Sequence, residues 1–338
     1  LQAKPTSSVG RFDGIDRLRG IAALSVVLFH YLYLYDCIWG HDIAIARWTE
    51  LGGYGVELFF IISGFVIPLS LRRKSMPDFV YGRFIRLYPV YWICVIFTAI
   101  CIVLNPSLNA EVGISDFLIN FTMVQGYLNV PYIDSVYWTL QYELAFYLII
   151  AVSYFSFSKK WWGIVGVMMF VVYCAPLIIY KASTEFGWRI PASVEFLFLL
   201  RYGVYFLCGI LMNNAFLLRG AARGFSSGLL VLVVVIETIV CWSLFNPVLL
   251  LSLLVMASVF YPMKGDRIFL FFGTISYSLY LIHQVIGYAV INFTSLYLDN
   301  SMLGVLFAIV LSISLATLLN QTVEAPAQRR LKDWWNRR

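Results

Sequence analysis

The sequence predicts an all-α integral membrane protein of about ten transmembrane helices, with both termini in the cytoplasm. Three observations carry this reading. The chain of 338 residues is 61% hydrophobic and 12% charged, with a mean hydropathy of +0.82, whereas a soluble domain carries about 25% charged residues. Apolar runs of roughly 20 residues, the length that crosses a bilayer, recur along the whole chain. The basic residues fall almost entirely between alternate runs.

Taken in order, the first predicted span, 15–35, follows a polar lead at 1–11 that is expected to be disordered. No cleavable signal peptide is read, and this first run serves as a signal anchor. The second span, 52–71, stops at the basic triplet Arg72, Arg73 and Lys74. Residues 75–88 (SMPDFVYGRFIRLY) read as a cytoplasmic interfacial helix, with a short third span at 89–104. Residues 114–128 read as an outer re-entrant or surface helix, before a fourth span at 137–157. The fifth, 161–180, opens on Trp161 and Trp162, the residue type that sits at membrane interfaces. A sixth span is placed at 196–212. Only Phe245, Asn246 and Pro247 separate the seventh and eighth, at 225–244 and 247–263. The ninth and tenth follow at 269–293 and 302–324. The whole is expected to form one membrane domain over 12–326, closed by a basic cytoplasmic tail at 327–338.

Charge orients the layout. With the N-terminus inside, all of the 24 Lys and Arg lie on the inner side except Arg47, Lys181, Arg189 and Arg201. Segments 105–136 and 294–301 contain neither residue. This is the positive-inside bias of cytoplasmic loops, and it accounts for the net charge of +6 without nucleic acid. The six cysteines show no CxxC or metal-ligand spacing, and all but Cys37 fall in apolar runs, so neither a disulfide framework nor a metal site is expected.

Ionisable residues at bilayer depth are costly and mark function by default. The short list is His30, Glu57, Glu143, Glu237 and His283, with Arg19 and Arg201 near helix ends. Arg19 and His30 are eleven residues apart, about 20° past three helical turns, so they share a face about 16 Å long. Such a face suits a path between the two sides. The plainer alternative is an end anchor and a hydrogen-bonded core histidine. Glu57 and Glu143 are predicted at a depth similar to His30, where a carboxylate would fix the histidine tautomer; helix-to-helix hydrogen bonds explain them equally well. Ser276, Tyr280 and His283 fall on one face of the ninth span, a pattern that polar helix packing also produces. Arg72, Arg73, Lys74, Arg83 and Arg86 form a cytoplasmic cluster that suits either anionic lipid or a phosphorylated donor. The small Ser63-Gly64 pair within a bulky helix permits close approach of a backbone or a thin ligand.

Five of these stretches, in order, resemble the acyltransferase 3 family of membrane acyltransferases: IDRLRGIAALSVVLFHY with Arg19 and His30, GVELFFIISGFVI, YGRFIRLYPVYW with Arg83 and Arg86, YWTLQYELAFY with Glu143, and GTISYSLYLIH ending at His283. The resemblance runs from about 12 to 335. It implies transfer of an acyl group, most often acetyl, from cytoplasmic acyl-CoA to a hydroxyl of an exopolysaccharide, O-antigen or lipid-linked glycan, in a bacterial inner membrane. It also implies His30 as the catalytic histidine, as general base or transient acyl carrier, with Glu143 and Glu57 beside it. Acetyl-CoA is then expected at Arg19, Arg83, Arg86, Arg72, Arg73, Ser63 and Gly64, and substrate at Trp138, Tyr280 and His283. No metal is expected. Relatives often carry a fused hydrolase-like domain; this chain is read as a stand-alone form, in which either the membrane domain acylates the glycan itself or a separate periplasmic partner completes the transfer. The competing expectation is a transporter of a polar lipid or glycan that uses the same residues. Repeated halves and broken helices would mark one, and neither is evident.

Overall fold

The computed structural model describes residues 13–337, apart from 42, 44, 45, 73, 106, 107, 109–112, 158, 159, 188, 219, 242–246, 261–266 and 299. The described residues are helical with no strand. In chain order the helices are α1 (Asp13–Leu28), α2 (Tyr35–Trp39), α3 (Gly55–Leu71), α4 (Met76–Leu104), α5 (Ile114–Asn120), α6 (Trp138–Ser156), α7 (Trp161–Met169), α8 (Ala175–Phe186), α9 (Ala192–Leu197), α10 (Gly203–Leu217), α11 (Ala221–Cys241), α12 (Pro247–Phe260), α13 (Arg267–Leu298), α14 (Ser301–Leu319) and α15 (Ala325–Asn336). Three π-helical turns, Phe29–Leu34, Phe170–Cys174 and Asn320–Glu324, join α1 to α2, α7 to α8 and α14 to α15.

Among the described residues, seven helical stretches are long and apolar enough to cross a membrane: Asp13–Trp39, Arg47–Leu71, Met76–Leu104, Ser135–Ser156, Gly163–Phe186, Arg267–Leu298 and Ser301–Trp335. The shorter α10, with α11 and α12, is helical where the other three predicted spans lie. Two expectations change. The interfacial helix and the short third span are one continuous helix, α4, with Pro89 inside it. Its start is locked by a capping box in which Ser75 and Asp78 satisfy each other's backbone N–H. The outer segment is not one helix over 114–128 but α5 followed by a 3-10 turn at Gln125–Leu128. The basic tail is helical as well. It docks on the start of α4, where Trp335 stacks on Tyr81 at 4.1 Å and donates to Asp78 Oδ1 at 2.7 Å.

α1 packs against α13 and α3, and α3 against α10. Both main contacts are backbone-close. A Cβ on Gly20 would lie 2.4 Å from Phe269 O, and one on Gly273 would lie 2.0 Å from Asp16 O. A Cβ on Gly64 would meet Phe206 O at 2.2 Å, and one on Gly209 would meet Ile61 O at 2.1 Å. Without a hydrophobic drive between helices in lipid, small residues at the crossings supply van der Waals contact instead. Large apolar side chains such as Val103, Leu296 and Val310 face outward, as a lipid solvent allows. Buried polar residues such as Gln141, Asn213 and Ser278 face inward.

Candidate active site

Two cavities meet inside the bundle. The first is lined by Arg19 of α1, Ser63 of α3, Arg83 and Arg86 of α4, Glu143 and Tyr147 of α6, and Tyr277 of α13, with Phe59 and Phe60 among its apolar wall. Arg83 and Arg86 are three residues apart and therefore neighbours on one helix face. The Arg83 guanidinium lies 5.7 Å from the ring centres of both Phe79 and Tyr147, within cation–π reach. Its Nε is enclosed and has no hydrogen-bond partner among the described residues. Arg19 is steadied by Asp16 at 3.3 Å. Tyr147 donates to Glu143 through a short hydrogen bond. With three guanidinium groups and one carboxylate on its wall, the cavity is cationic, and guanidinium forks bind phosphate in bidentate fashion.

A further carboxylate stands behind it. Glu324 is buried, accepts from Ser278 at 2.7 Å and from Asn320 at 3.1 Å, and acts electrostatically on Arg86. Sequence reasoning missed this residue because it lies at the boundary of an apolar run and a basic tail. The π-helical turn Asn320–Glu324 places it inside. An acidic residue five positions before a basic cluster is the signal that was available.

The second cavity, about 550 Å³, lies within the range of ~300–1,000 Å³ usual for small-molecule sites. His30, Glu50, Glu57, Trp138 and Tyr202 line it. Val56 and Tyr280 line both cavities. They are the wall where the two meet. His30 sits in the π-helical turn Phe29–Leu34, a local distortion often found at functional sites.

The partners of His30 define its protonation pattern. Its Nδ1 lies 2.8 Å from Val26 O and 3.3 Å from His283 Nε2. A carbonyl oxygen only accepts, so Nδ1 carries the hydrogen. His283 Nδ1 lies 2.9 Å from Tyr280 O and 3.2 Å from Leu279 O, so it too carries its hydrogen and leaves Nε2 as acceptor. This leaves the lone pair of His30 on Nε2, on a ring that lines the second cavity. A proton taken at Nε2 makes an imidazolium whose Nδ1–H points at the neutral nitrogen of His283.

The segment around His283 is clamped. Tyr31 donates to His283 O at 2.6 Å, and Ser135 donates to Gln284 Oε1 at 2.7 Å. Asp134 accepts from Val285 N at 3.4 Å and from Val136 N at 3.2 Å. Tyr280 donates to Val136 O at 3.1 Å. The turn before α6 thereby ties α13 to the wall of the second cavity.

The sequence-predicted residues therefore divide. His30, Glu57, Trp138 and Tyr280 share the second cavity. Glu143 lines the arginine cavity instead, because Thr139, Glu143 and Tyr147 follow one another at four-residue steps along one face of α6. The ring that meets His30 belongs to His283, not to a carboxylate, and His283 is fully buried behind it and lines neither cavity. Ser63 lines the arginine cavity, whereas Gly64 faces the backbone of α10. Arg72 is exposed just beyond α3 and lines neither cavity. Arg73 lies outside the described residues. Glu237 accepts from Tyr173 at 3.5 Å, away from both cavities.

These features define a multi-pass membrane protein with its reactive side chains buried between helices. The chain belongs to the acyltransferase 3 family, whose model, described as an acyltransferase domain, matches residues 12–321. It is similar to the acyltransferase MdmB of Streptomyces mycarofaciens, with 27% identity over 82% of this chain and 79% of the relative. It is also similar to the exopolysaccharide production protein ExoZ of Rhizobium meliloti, with 25% identity over 47% of this chain and 52% of the relative. The peptidoglycan O-acetyltransferase OatA of Listeria monocytogenes is 26% identical over 40% of this chain and 23% of its own length. No solved structure matches the chain.

Proposed function

We propose that the protein transfers an acyl group, acetyl in the simplest case, from acyl-CoA in the arginine cavity to a carbohydrate hydroxyl in the histidine cavity. The observation that carries this reading is the shared wall at Val56 and Tyr280, which sets a cationic cavity beside one lined by His30. The similarity to ExoZ and OatA, an exopolysaccharide production protein and a peptidoglycan O-acetyltransferase, supports a carbohydrate acceptor.

In this reading Arg83, Arg86 and Arg19 hold the donor phosphates, and the apolar wall with Ser63 takes the pantetheine arm. The partnerless Nε of Arg83 is the kind of buried donor that a phosphate oxygen satisfies. His30 Nε2 removes the proton from the acceptor hydroxyl. The oxygen then attacks the thioester carbonyl, the carbon–sulfur bond breaks, and the thiolate takes the proton back from His30. His283 holds the Nδ1–H tautomer throughout. Glu57 accepts a neighbouring hydroxyl of the acceptor, and Trp138 and Tyr280 shape its seat. Both termini face the cytoplasm of a bacterial inner membrane, so the donor enters from inside and the acceptor from outside.

Purified protein incubated with labelled acetyl-CoA and a bacterial polysaccharide fraction tests this. His30→Ala is expected to lower transfer by about 10²–10⁴-fold, the range of a lost general base. Transfer unchanged in that variant overturns the assignment. Label trapped on the protein in the absence of acceptor, lost with His30→Ala, replaces the general base by a covalent acyl-histidine route.

A further inference from the structure

The charge of the histidine cavity is opposite to that of its neighbour. Glu50 and Glu57 line it, and no Lys or Arg does so among the described residues. The arginine nearest in sequence to its wall, Arg201 beside Tyr202, is held by Glu195 at 2.8 Å. Glu57 Oε2 is enclosed and has no hydrogen-bond partner among the described residues. His30, only 8% exposed, lines the same space. The charged side chains on this lining are therefore carboxylates, with no cationic donor among the described residues to balance them. Trp138 and Tyr202, 5.0 Å apart and inclined at 37°, add an aromatic wall.

We infer that the acceptor seated in this cavity is an uncharged or amine-bearing sugar and not an acidic one. The inference rests on the functional reading above and narrows its substrate class. Carboxylates accept hydrogen bonds from hydroxyl and ammonium groups and offer none in return. A uronate or a phosphate brings a second anion beside Glu50 in a partly enclosed space, where like charges repel more than in water. That repulsion excludes acidic sugars without a clash of shape. The same wall sorts donor from acceptor, because the phosphates of acyl-CoA are favoured in one cavity and disfavoured in the other.

The full chain in nanodiscs of neutral phosphatidylcholine, supplied with acetyl-CoA, is offered three matched acceptors: an alkyl glucoside, glucosaminide and glucuronide. Released CoA and product mass give kcat/KM for each. The glucuronide is expected at least about tenfold below the glucoside, with the glucosaminide at or above it, since one unscreened like-charge contact is worth about a factor of ten or more. Glu50→Gln is expected to narrow the gap between glucuronide and glucoside. Equal or faster acetylation of the glucuronide overturns the charge inference and leaves the enzyme reading standing. Acetylation of none of the three counts against the enzyme reading itself.

A second measurement reads the cavity without any acceptor. Leu51 lines the cavity and is 56% exposed. In a background with the exposed Cys37 and Cys174 replaced by Ser, Leu51→Cys is reacted with cationic and anionic methanethiosulfonates. The cationic reagent is expected to gain at least about tenfold over its ratio with free cysteine, the factor that a modest negative potential produces. A ratio equal to that of free cysteine overturns the charge inference, whatever the acceptors do.

Discussion

His30 is held from behind by another histidine rather than by a carboxylate. Its Nδ1–H reaches Val26 O at 2.8 Å and His283 Nε2 at 3.3 Å. A neutral partner fixes the tautomer without adding a buried charge, which is costly at this depth. Replacement of His283 by Leu removes that acceptor and is expected to lower kcat by about 10²-fold with little change in KM. His283→Gln keeps a carbonyl oxygen for the Nδ1–H and is expected to recover part of the loss. Imidazole ¹⁵N shifts of His30 check the cause: the single-tautomer pattern should persist in the Gln variant and blur in the Leu variant. Loss of activity with an unchanged tautomer sinks the positioning role. On the other side of the junction, Arg86→Lys keeps the charge and removes the fork. Its expected signature is an acyl-CoA KM raised by about tenfold with kcat preserved, measured by steady-state kinetics.

At the scale of elements, the helix crossings depend on glycines more than on large side chains. Gly64 faces Phe206 O and Gly209 faces Ile61 O, each with no room for a Cβ. Gly64→Ala must therefore separate α3 from α10, at a cost of about 1–3 kcal/mol typical of overpacking. Thermal unfolding in detergent should show a lower midpoint, and acyl-CoA binding should survive near that of the parent at low temperature. Equal stability with lost binding would instead return Gly64 to the donor site. α4 illustrates a different lesson. Pro89 marks a break in the sequence pattern, yet the helix runs through it from Met76 to Leu104, because neighbouring helices can accommodate the missing bond in a membrane protein. His30 and Glu324 lie within the π-helical turns Phe29–Leu34 and Asn320–Glu324, and both are buried.

At the scale of the whole molecule, the two cavities and the proposed orientation make one statement about sidedness. Arg83 and Arg86 lie near the start of α4, on the same end as α15, whose Leu331 O accepts from Tyr81 at 3.2 Å. His30 lies towards the far end of the first helical stretch. Cysteines introduced at Leu51 and at Leu331 in intact cells are thus expected to label from opposite sides, position 51 by a membrane-impermeant maleimide and position 331 only after permeabilisation. Labelling of both from the same side refutes the layout.

Hydropathy and charge are properties of the chain read in one dimension. They determined the membrane class and the positions of most of the helices, because a 20-residue apolar run needs no partner to be recognised. Tertiary structure decided the rest. His30 meets His283 across 253 positions, Glu143 turns to the arginines, and Glu324 stands behind them. Each depends on how helices cross and on where an extra residue enters a turn. No spacing within one segment records either, because the contacts that set them come from other helices.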